Sequence, residues 1–376
     1  MRPTYAVINL SNLKSNFLSI RRKVKKRKIM AVVKANAYGH GVEKVARALQ
    51  SLGDKKPEYF AVALAEEAVK LRELKIKQPI LVFEPVTKLE ADLVFKYNFF
   101  PTVFNNRHLQ ILLKSKIKNS KSYSGRRIKV HVKVDTGMNR LGINYKDAGQ
   151  FIELLSKNKN FFIDGIYTHF ATSDERNKTF AKLQLKRFNN LLTELGKKKI
   201  NFGHVHAANS GAILDMPDSY FDMVRPGISL YGYYPSLETT ESIKLKPVMS
   251  IYSYVASIKE IDKGDTVSYG RLFTAGGKTK IISVPIGYAD GYNRNLTNKA
   301  VAIVNNKKYK QVGRVTMDRI MFDVGADNVK LNDKVILLGK EKGLEITAWD
   351  WSKILNTIPY EITCNISDRV PRIYKG

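Results

Sequence analysis

A lysine closing an apolar run is the first residue of this chain whose position suggests chemistry. In "MAVVKANAYGHG" (30–41), Met30 to Val33 read as a buried strand and Lys34 is the first residue beyond it. Tyr38, Gly39, His40 and Gly41 then make a turn before a helical pattern resumes at Val42. A lysine at a strand end ordinarily lays its methylenes over the core rim and leaves its ammonium in water. The alternative is a lysine aimed into a site, where desolvation and neighbouring cations lower its pKa and free the amine to attack an aldehyde. Asp135, His169, Asn209 and Arg225 are further lone polar residues, each at the end of another apolar run. Taken singly, Asp135 would cap a turn and His169 would be a satisfied core histidine. Five such residues at equivalent strand ends converge polar groups on one mouth. If the aldehyde belongs to pyridoxal phosphate, the site also needs phosphate donors and a partner for the pyridine nitrogen. "HAANSGA" (206–212) and "RPGISLYG" (225–232) supply small residues, a serine hydroxyl and exposed backbone N–H groups, which is how barrels commonly seat a phosphate.

The elements that must position these residues are legible as a repeat of strand and helix. Short apolar runs at 28–34, 59–64, 79–84, 100–105, 128–137, 161–170, 202–210 and 222–227 alternate with amphipathic stretches, the pattern of repeated βα units. Eight strands interleaved with helices predict an α/β fold, a (β/α)8 TIM-type barrel with its active site at the C-terminal ends of the strands. After Tyr231 the texture changes: "GYYPSLETTESIKLKP" (232–247) is rich in Pro, Gly, Ser and Thr, and short alternating runs from Val248 onward read as antiparallel strands. We therefore expect a barrel domain over 1–235 and a mainly β domain over 236–376.

Bulk properties narrow the function classes. With 376 residues the chain is long enough for two domains, and 44% hydrophobic residues allow a sizeable core. The N-terminus lacks an apolar signal region and no apolar run reaches the length of a membrane span, so a cytoplasmic location is expected. A single cysteine, Cys364, excludes an intramolecular disulfide framework and a Cys-based zinc cluster. The net charge of +30 would ordinarily prompt a nucleic-acid hypothesis. The lysines are instead spread along the length, with local runs at 21–28 and 114–129 before expected strands. No zinc-finger spacing, basic heptad region or RNP-like aromatic signature accompanies them. A solvated lysine-rich surface is the better reading, and its field would draw anionic substrates or a phosphate cofactor.

"AVVKANAYGHG", "KVDTGMNRLG", "THFATSDE", "HAANS", "VRPGISLYG", "VSYG", "IGYADGY", "VGRVTMD" and "RVPR" occur in the order and spacing of the alanine racemase family, over nearly the whole chain. The resemblance implies a barrel followed by a β domain, pyridoxal 5'-phosphate as cofactor, a homodimer with shared active sites, and interconversion of L- and D-alanine to supply D-alanine for peptidoglycan. Residue by residue, it makes Lys34 the imine-forming lysine and one of two proton-transfer groups. Tyr269 is the other, reaching the site of the partner subunit. His169 would contact Tyr269, while Arg225 lies behind His169 and touches the pyridine nitrogen. A guanidinium there donates a hydrogen bond without surrendering its proton. Arg140 would meet the cofactor's phenolic oxygen and the substrate carboxylate, helped by the backbone N–H of Met317. Lys133 matches a lysine found carbamylated in relatives. Cofactor contacts would fall to Tyr38, Asn209, Ser210, Gly227 and Ile228, and Tyr288, Arg294, Arg314 and Ile366 would line the entrance passage.

One position departs from the family pattern: "ISDRVPR" places Asp368 where many relatives carry a tyrosine at the entrance. A shorter anionic residue near a phosphate calls for compensation, by Arg369 for instance, or for a different loop. A wider entrance would admit serine, lysine or a broader range of amino acids. The reading from a different class is a non-catalytic protein that binds pyridoxal phosphate or polyanions.

Overall fold

The computed structural model describes residues 3–119 and 125–376. The chain divides into two compact units: one holds Lys14–Ala37 and Val42–Leu245, and the other holds the stretch ending at Leu13, Tyr38–Gly41 and Lys246–Gly376. The first strand of the chain, β1 (Tyr5–Asn9), therefore belongs with the C-terminal half.

All eight apolar runs form strands of the first unit. They are β2 (Lys28–Val32), β3 (Tyr59–Val62), β4 (Ile80–Val82), β5 (Phe100–Val103) and β6 (Ile128–Asp135), then, beyond a two-residue side strand β7 (Ile143–Asn144), β8 (Phe161–Tyr167), β9 (His204–His206) and β10 (Met223–Val224). They pair in parallel in the order β10-β2-β3-β4-β5-β6-β8-β9. The ring is closed by Asp222, whose N–H donates to Val205 O (3.1 Å) and whose carboxylate accepts from Val205 N–H (2.8 Å). Strands β3 and β5 are buried at every residue, because barrel strands meet side chains inside and helices outside. That double burial is why they read as continuous apolar runs.

Helices alternate with these strands and bury one stripe each. In Thr179–Lys197 the buried residues are Ala181, Gln184, Phe188, Leu191 and Leu195, a three-and-four spacing that keeps one face on the barrel. The basic run at 21–28 begins in the last turn of helix Leu10–Val24, where cations complement the helix dipole, and Arg21 pairs with Glu58 at 2.9 Å. Of the run at 114–129, residues 120–124 lie outside the described residues.

The second unit adds β11 (Met249–Tyr254), β12 (Ser257–Ile261), β13 (Thr279–Val284), β14 (Val301–Val304), β15 (Lys307–Lys310), β16 (Ile320–Gly325), β17 (Lys334–Glu341), β18 (Leu344–Ile346) and β19 (Arg372–Lys375). One sheet runs β15-β14-β17-β11-β1-β19 with β18 beside β17, and a second runs β12-β13-β16. Burial alternates along β11 and β16, as it does in strands with one face on a core. Ile261, Val267, Ala275, Ile281 and Val312 form the core cluster beside the smaller sheet.

Candidate active site

Lys34 follows the end of β2, and its backbone is fixed on both sides. Val32 N–H donates to Pro226 O (3.1 Å), Val33 N–H to Ala61 O (2.9 Å), and the buried Tyr231 hydroxyl donates to Val32 O (3.1 Å). On the far side Ala35 N–H donates to Glu67 Oε1 (2.6 Å), while Glu67 Oε2 accepts from the N–H groups of Ala63 and Leu64. The turn seen in the sequence at 38–41 starts three residues earlier: Ala35, Asn36, Ala37 and Tyr38 hold φ of 52, 50, 56 and 53°. Each L-residue there costs about 1–2 kcal/mol, strain of the kind that persists where surrounding structure over-determines it. Asn36 Oδ1 accepts from Val42 N–H (2.9 Å) and closes the turn. Within the second unit, Gly39 has φ of +80° and lies against the Thr363 backbone, where a Cβ would come within 2.1 Å of its oxygen. Only glycine fits there.

Residues of β6, the loop after it and the segment after β10 gather with Lys34 around His169, which follows β8. Arg225 is 3% exposed. Its Nη2 donates to Thr168 O (2.7 Å) and Ala207 O (2.9 Å) and lies 3.4 Å from His169 Nδ1; its Nη1 lies 2.8 Å from His206 Nδ1. Burial lowers its pKa to about 10, and among the described residues it has no carboxylate partner. Burial, then Arg225, Lys133, Arg140 and Lys34, hold the His169 imidazole well below its usual range. His169 is thus neutral in a strongly cationic mouth. Lys133, on β6, is buried, with its ammonium 5.2 Å above the Tyr167 ring. Burial first, then Arg225 and Arg140, bring its pKa down to about 8.

Two of the sequence-singled residues turn out to be backbone caps. Asp135 accepts from the N–H groups of Gly137 (2.9 Å) and Asn139 (3.1 Å), so it closes a turn. Asn209 caps helix Ser210–Asp215 by accepting from Ala212 N–H (3.0 Å), and it also accepts from the Ser173 hydroxyl (2.8 Å). Beside it, Ser210 Oγ accepts from Gly227 N–H (2.9 Å) and sits 3.0 Å from Ser229 Oγ, with Ile228 fully buried next to Gly227. Small residues, two hydroxyls and converging N–H groups make a cradle suited to a phosphate.

In the second unit Tyr269 sits near the tip of a loop closed by the Thr266–Thr274 bridge, and it is 74% exposed. Ser268, Gly270 and Arg271 all have positive φ there, and Arg314 Nε donates to Tyr269 O (3.3 Å). Arg314 is therefore brought to this loop. Tyr288 and Arg294 share a cavity of about 600 Å³ with Gly291, Asn293 and Asn365. Tyr288 N–H donates to Thr316 O (3.0 Å) and Ala289 N–H to Met317 O (3.1 Å), which places the Met317 backbone beside Tyr288. Tyr38 packs its ring 5.9 Å from that of Tyr360, and Ile366 is buried. The compensation expected at Asp368 is not made by Arg369. Arg369 pairs with Asp290 (3.3 Å) and Asp318 (2.5 Å), while the Asp368 side chain is fully exposed and 3.9 Å from Arg372. The physical reason is Asp290, buried and already accepting from Gly287 N–H, which presents a second oxygen to Arg369.

One residue that helps build the mouth, Gln184, is marked only weakly in the sequence. Gln184, fully buried, donates to His169 O (3.0 Å) and Thr136 Oγ1 (3.2 Å) and accepts from Ala171 N–H (2.9 Å), so it positions the segment bearing His169. Its single polar place on an otherwise apolar helix stripe was the available clue.

The alanine racemase N-terminal domain model matches residues 8–235 and the C-terminal domain model matches 248–374. The chain belongs to the alanine racemase family. It is 42% identical to the alanine racemase of Carboxydothermus hydrogenoformans over 376 residues, 100% of both chains. Its structure is similar to that of the Clostridium difficile 630 alanine racemase, with a TM-score of 0.91 and 36% identity over 100% of this chain and 96% of the other. A Bacillus anthracis alanine racemase with bound L-Ala-P superposes with a TM-score of 0.89 at 34% identity, covering 100% of this chain and 96% of that one. Alanine racemases are pyridoxal-phosphate enzymes of the isomerase class that interconvert L- and D-alanine, and that is the activity of this chain. Serine, lysine or broad-spectrum racemisation, and a non-catalytic binding role, are not favoured. No helix among the described residues is long and apolar enough to cross a membrane.

Proposed function

We propose that this alanine racemase inverts its substrate with two proton-transfer groups, Lys34 Nζ and the Tyr269 hydroxyl of a partner subunit in a homodimer. The observation that carries the reading is the gathering of Lys34, Lys133, Arg140 and Arg225 about a neutral His169 at the strand ends. Such a set of cations suits a phosphate and a substrate carboxylate. Lys34 would hold pyridoxal phosphate through its amine, Ser210, Gly227, Ile228 and Tyr38 would hold the phosphate, and Arg225 would face the ring nitrogen. Bound there, the cofactor makes the substrate's Cα–H acidic.

The remaining work falls to the chain's own groups. Inversion requires a proton to leave one face of Cα and another to arrive on the opposite face, which two opposed groups accomplish without either moving. Arg140 and the Met317 N–H orient the carboxylate. His169, neutral and 3.4 Å from the Arg225 guanidinium, presents an imidazole rather than a cation to its neighbours. The exposure of Tyr269 on a strained loop supports a role outside its own chain. We place the enzyme in the cytoplasm, supplying D-alanine for peptidoglycan.

With pyridoxal phosphate added, purified protein should convert L-alanine to D-alanine on chiral chromatography. L-serine and L-lysine should turn over at least about tenfold more slowly, because each carries atoms beyond the alanine methyl that the site would have to accommodate. Absence of D-alanine, or faster turnover of serine or lysine, defeats the reading. Lys133 supports a second element. With its pKa at about 8, its free amine is available near neutrality to add to CO2 with loss of a proton, giving an anion beside Arg140. Carbon-13 NMR in labelled bicarbonate should show one carbamate resonance that disappears in Lys133→Gln, and persistence of that resonance in the variant would sink the assignment.

A further inference from the structure

A line of polar groups leaves Arg225 and runs through the barrel interior, away from the mouth. Arg225 Nη1 lies 2.8 Å from His206 Nδ1, His206 Nε2 lies 2.9 Å from His131 Nδ1, and His131 Nε2 lies 3.3 Å from Asp164 Oδ2. The Tyr59 hydroxyl donates to the same carboxylate oxygen at 2.8 Å. His131 and His206 are both 0% exposed and Asp164 is 7% exposed. The line joins Arg225, the residue just beyond β10, to residues of β9, β6, β8 and β3, so these groups share the barrel core.

The two ends dictate every proton between them. A guanidinium only donates and a carboxylate only accepts. Since Arg225 donates to His206 Nδ1, that nitrogen carries no proton, and His206 must be protonated at Nε2. It then donates to His131 Nδ1, which leaves the His131 proton on Nε2, facing Asp164. A doubly protonated His131 would donate to His206 Nε2 and force a proton onto His206 Nδ1, 2.8 Å from the Arg225 donor. That arrangement sets donor against donor.

We infer that Asp164, His131 and His206 are positioning residues: a one-way chain of donors that fixes the His206 tautomer and so aims the Arg225 guanidinium. The inference rests on the reading that Arg225 faces the cofactor's ring nitrogen. A second observation shows that the interior is shaped for it. Gly165 on β8 lies against the His131 ring, where a Cβ would come within 2.5 Å of Nδ1. The His206 ring is stacked on Tyr167 at 4.8 Å and 6°, while Tyr59 and Phe100 flank His131 at 6.1 and 6.2 Å. Both rings are thus held by packing as well as by hydrogen bonds. The charged groups around the line are Asp164 at its end, with Lys129 near that carboxylate, and Lys133 and Arg225 near His206.

The test is long-range proton–nitrogen correlation NMR on the nitrogen-15 histidine-labelled holoenzyme, whose six histidines are assigned by single substitutions. His131 and His206 should both show the Nε2-protonated neutral pattern. An Nδ1-protonated or imidazolium pattern at either overturns the chain. His131→Leu leaves the His206 Nε2–H without an acceptor, whereas His131→Asn restores an oxygen close to where Nδ1 stood. We expect kcat for alanine to fall about tenfold or more in His131→Leu with KM changed less than about twofold, and about threefold or less in His131→Asn. Equal losses in the two variants would make His131 mere filling and end the positioning role. Should the leucine variant not fold, the tautomers of the unmodified protein still decide. Because NMR does not depend on turnover, a protein that shows this pattern yet racemises nothing counts against the proposed function and not against the chain.

Discussion

Lys34→Ala loses at least about 10⁴-fold in racemisation, and the visible absorbance of the pyridoxal-phosphate holoenzyme goes with it. The size follows from two losses at one atom. The amine that would hold the cofactor and the group that exchanges a proton with Cα are the same Nζ, and positioned acid–base groups alone contribute about 10²–10⁴. The fold should survive, because the neighbouring backbone bonds of Val32, Val33 and Ala35 do not involve the side chain. Spectrophotometry after adding pyridoxal phosphate, with circular dichroism to verify folding, makes the measurement. A well-folded variant that retains the visible band would remove Lys34 from its place in the site.

Tyr269→Phe keeps that band and still loses about 10²–10³-fold in racemisation, because it deletes one hydroxyl and nothing that holds the cofactor. Little folding energy is at stake in a side chain 74% exposed. The variant also tests where the hydroxyl acts. If each site takes Lys34 from one subunit and Tyr269 from the other, mixing Lys34→Ala with Tyr269→Phe creates dimers with one intact site. Half of randomly assorted dimers are mixed, so about a quarter of the unmutated rate should return. No recovery after subunit exchange, verified by native mass spectrometry, would speak against a shared site.

The two predictions start from residues that were visible in the chain for different reasons. Lys34 ends a run of buried residues, and a cation at such a boundary is conspicuous to anyone reading in order. Arg225 is conspicuous for the same reason, and His169 as a lone polar ring at the end of an apolar run. Tyr269 has no comparable mark: it stands in an irregular stretch, and only the resemblance of "VSYG" to a family motif drew notice to it. Asp135 and Asn209 look like chemistry in a list of strand ends, and each gives its Oδ1 to backbone N–H groups of a local turn or cap. Short polar side chains near a strand end satisfy local turns as readily as they serve a site.

What the order of residues determined by itself is the barrel: eight apolar runs became eight parallel strands, since strands buried on both faces write their burial directly into composition. It also determined the family and the cationic strand ends. What only the tertiary structure decided is long-range pairing. Tyr5 faces Tyr252 across a sheet, so the first strand joins a unit assembled mostly from the other end of the chain. His131, Asp164 and His206 hide inside apolar strands, 33 and 75 residues apart, and meet only when β6, β8 and β9 pair side by side in register. Local burial leaves a periodic trace in sequence, whereas a contact between distant strands depends on closure and register, which no single segment records.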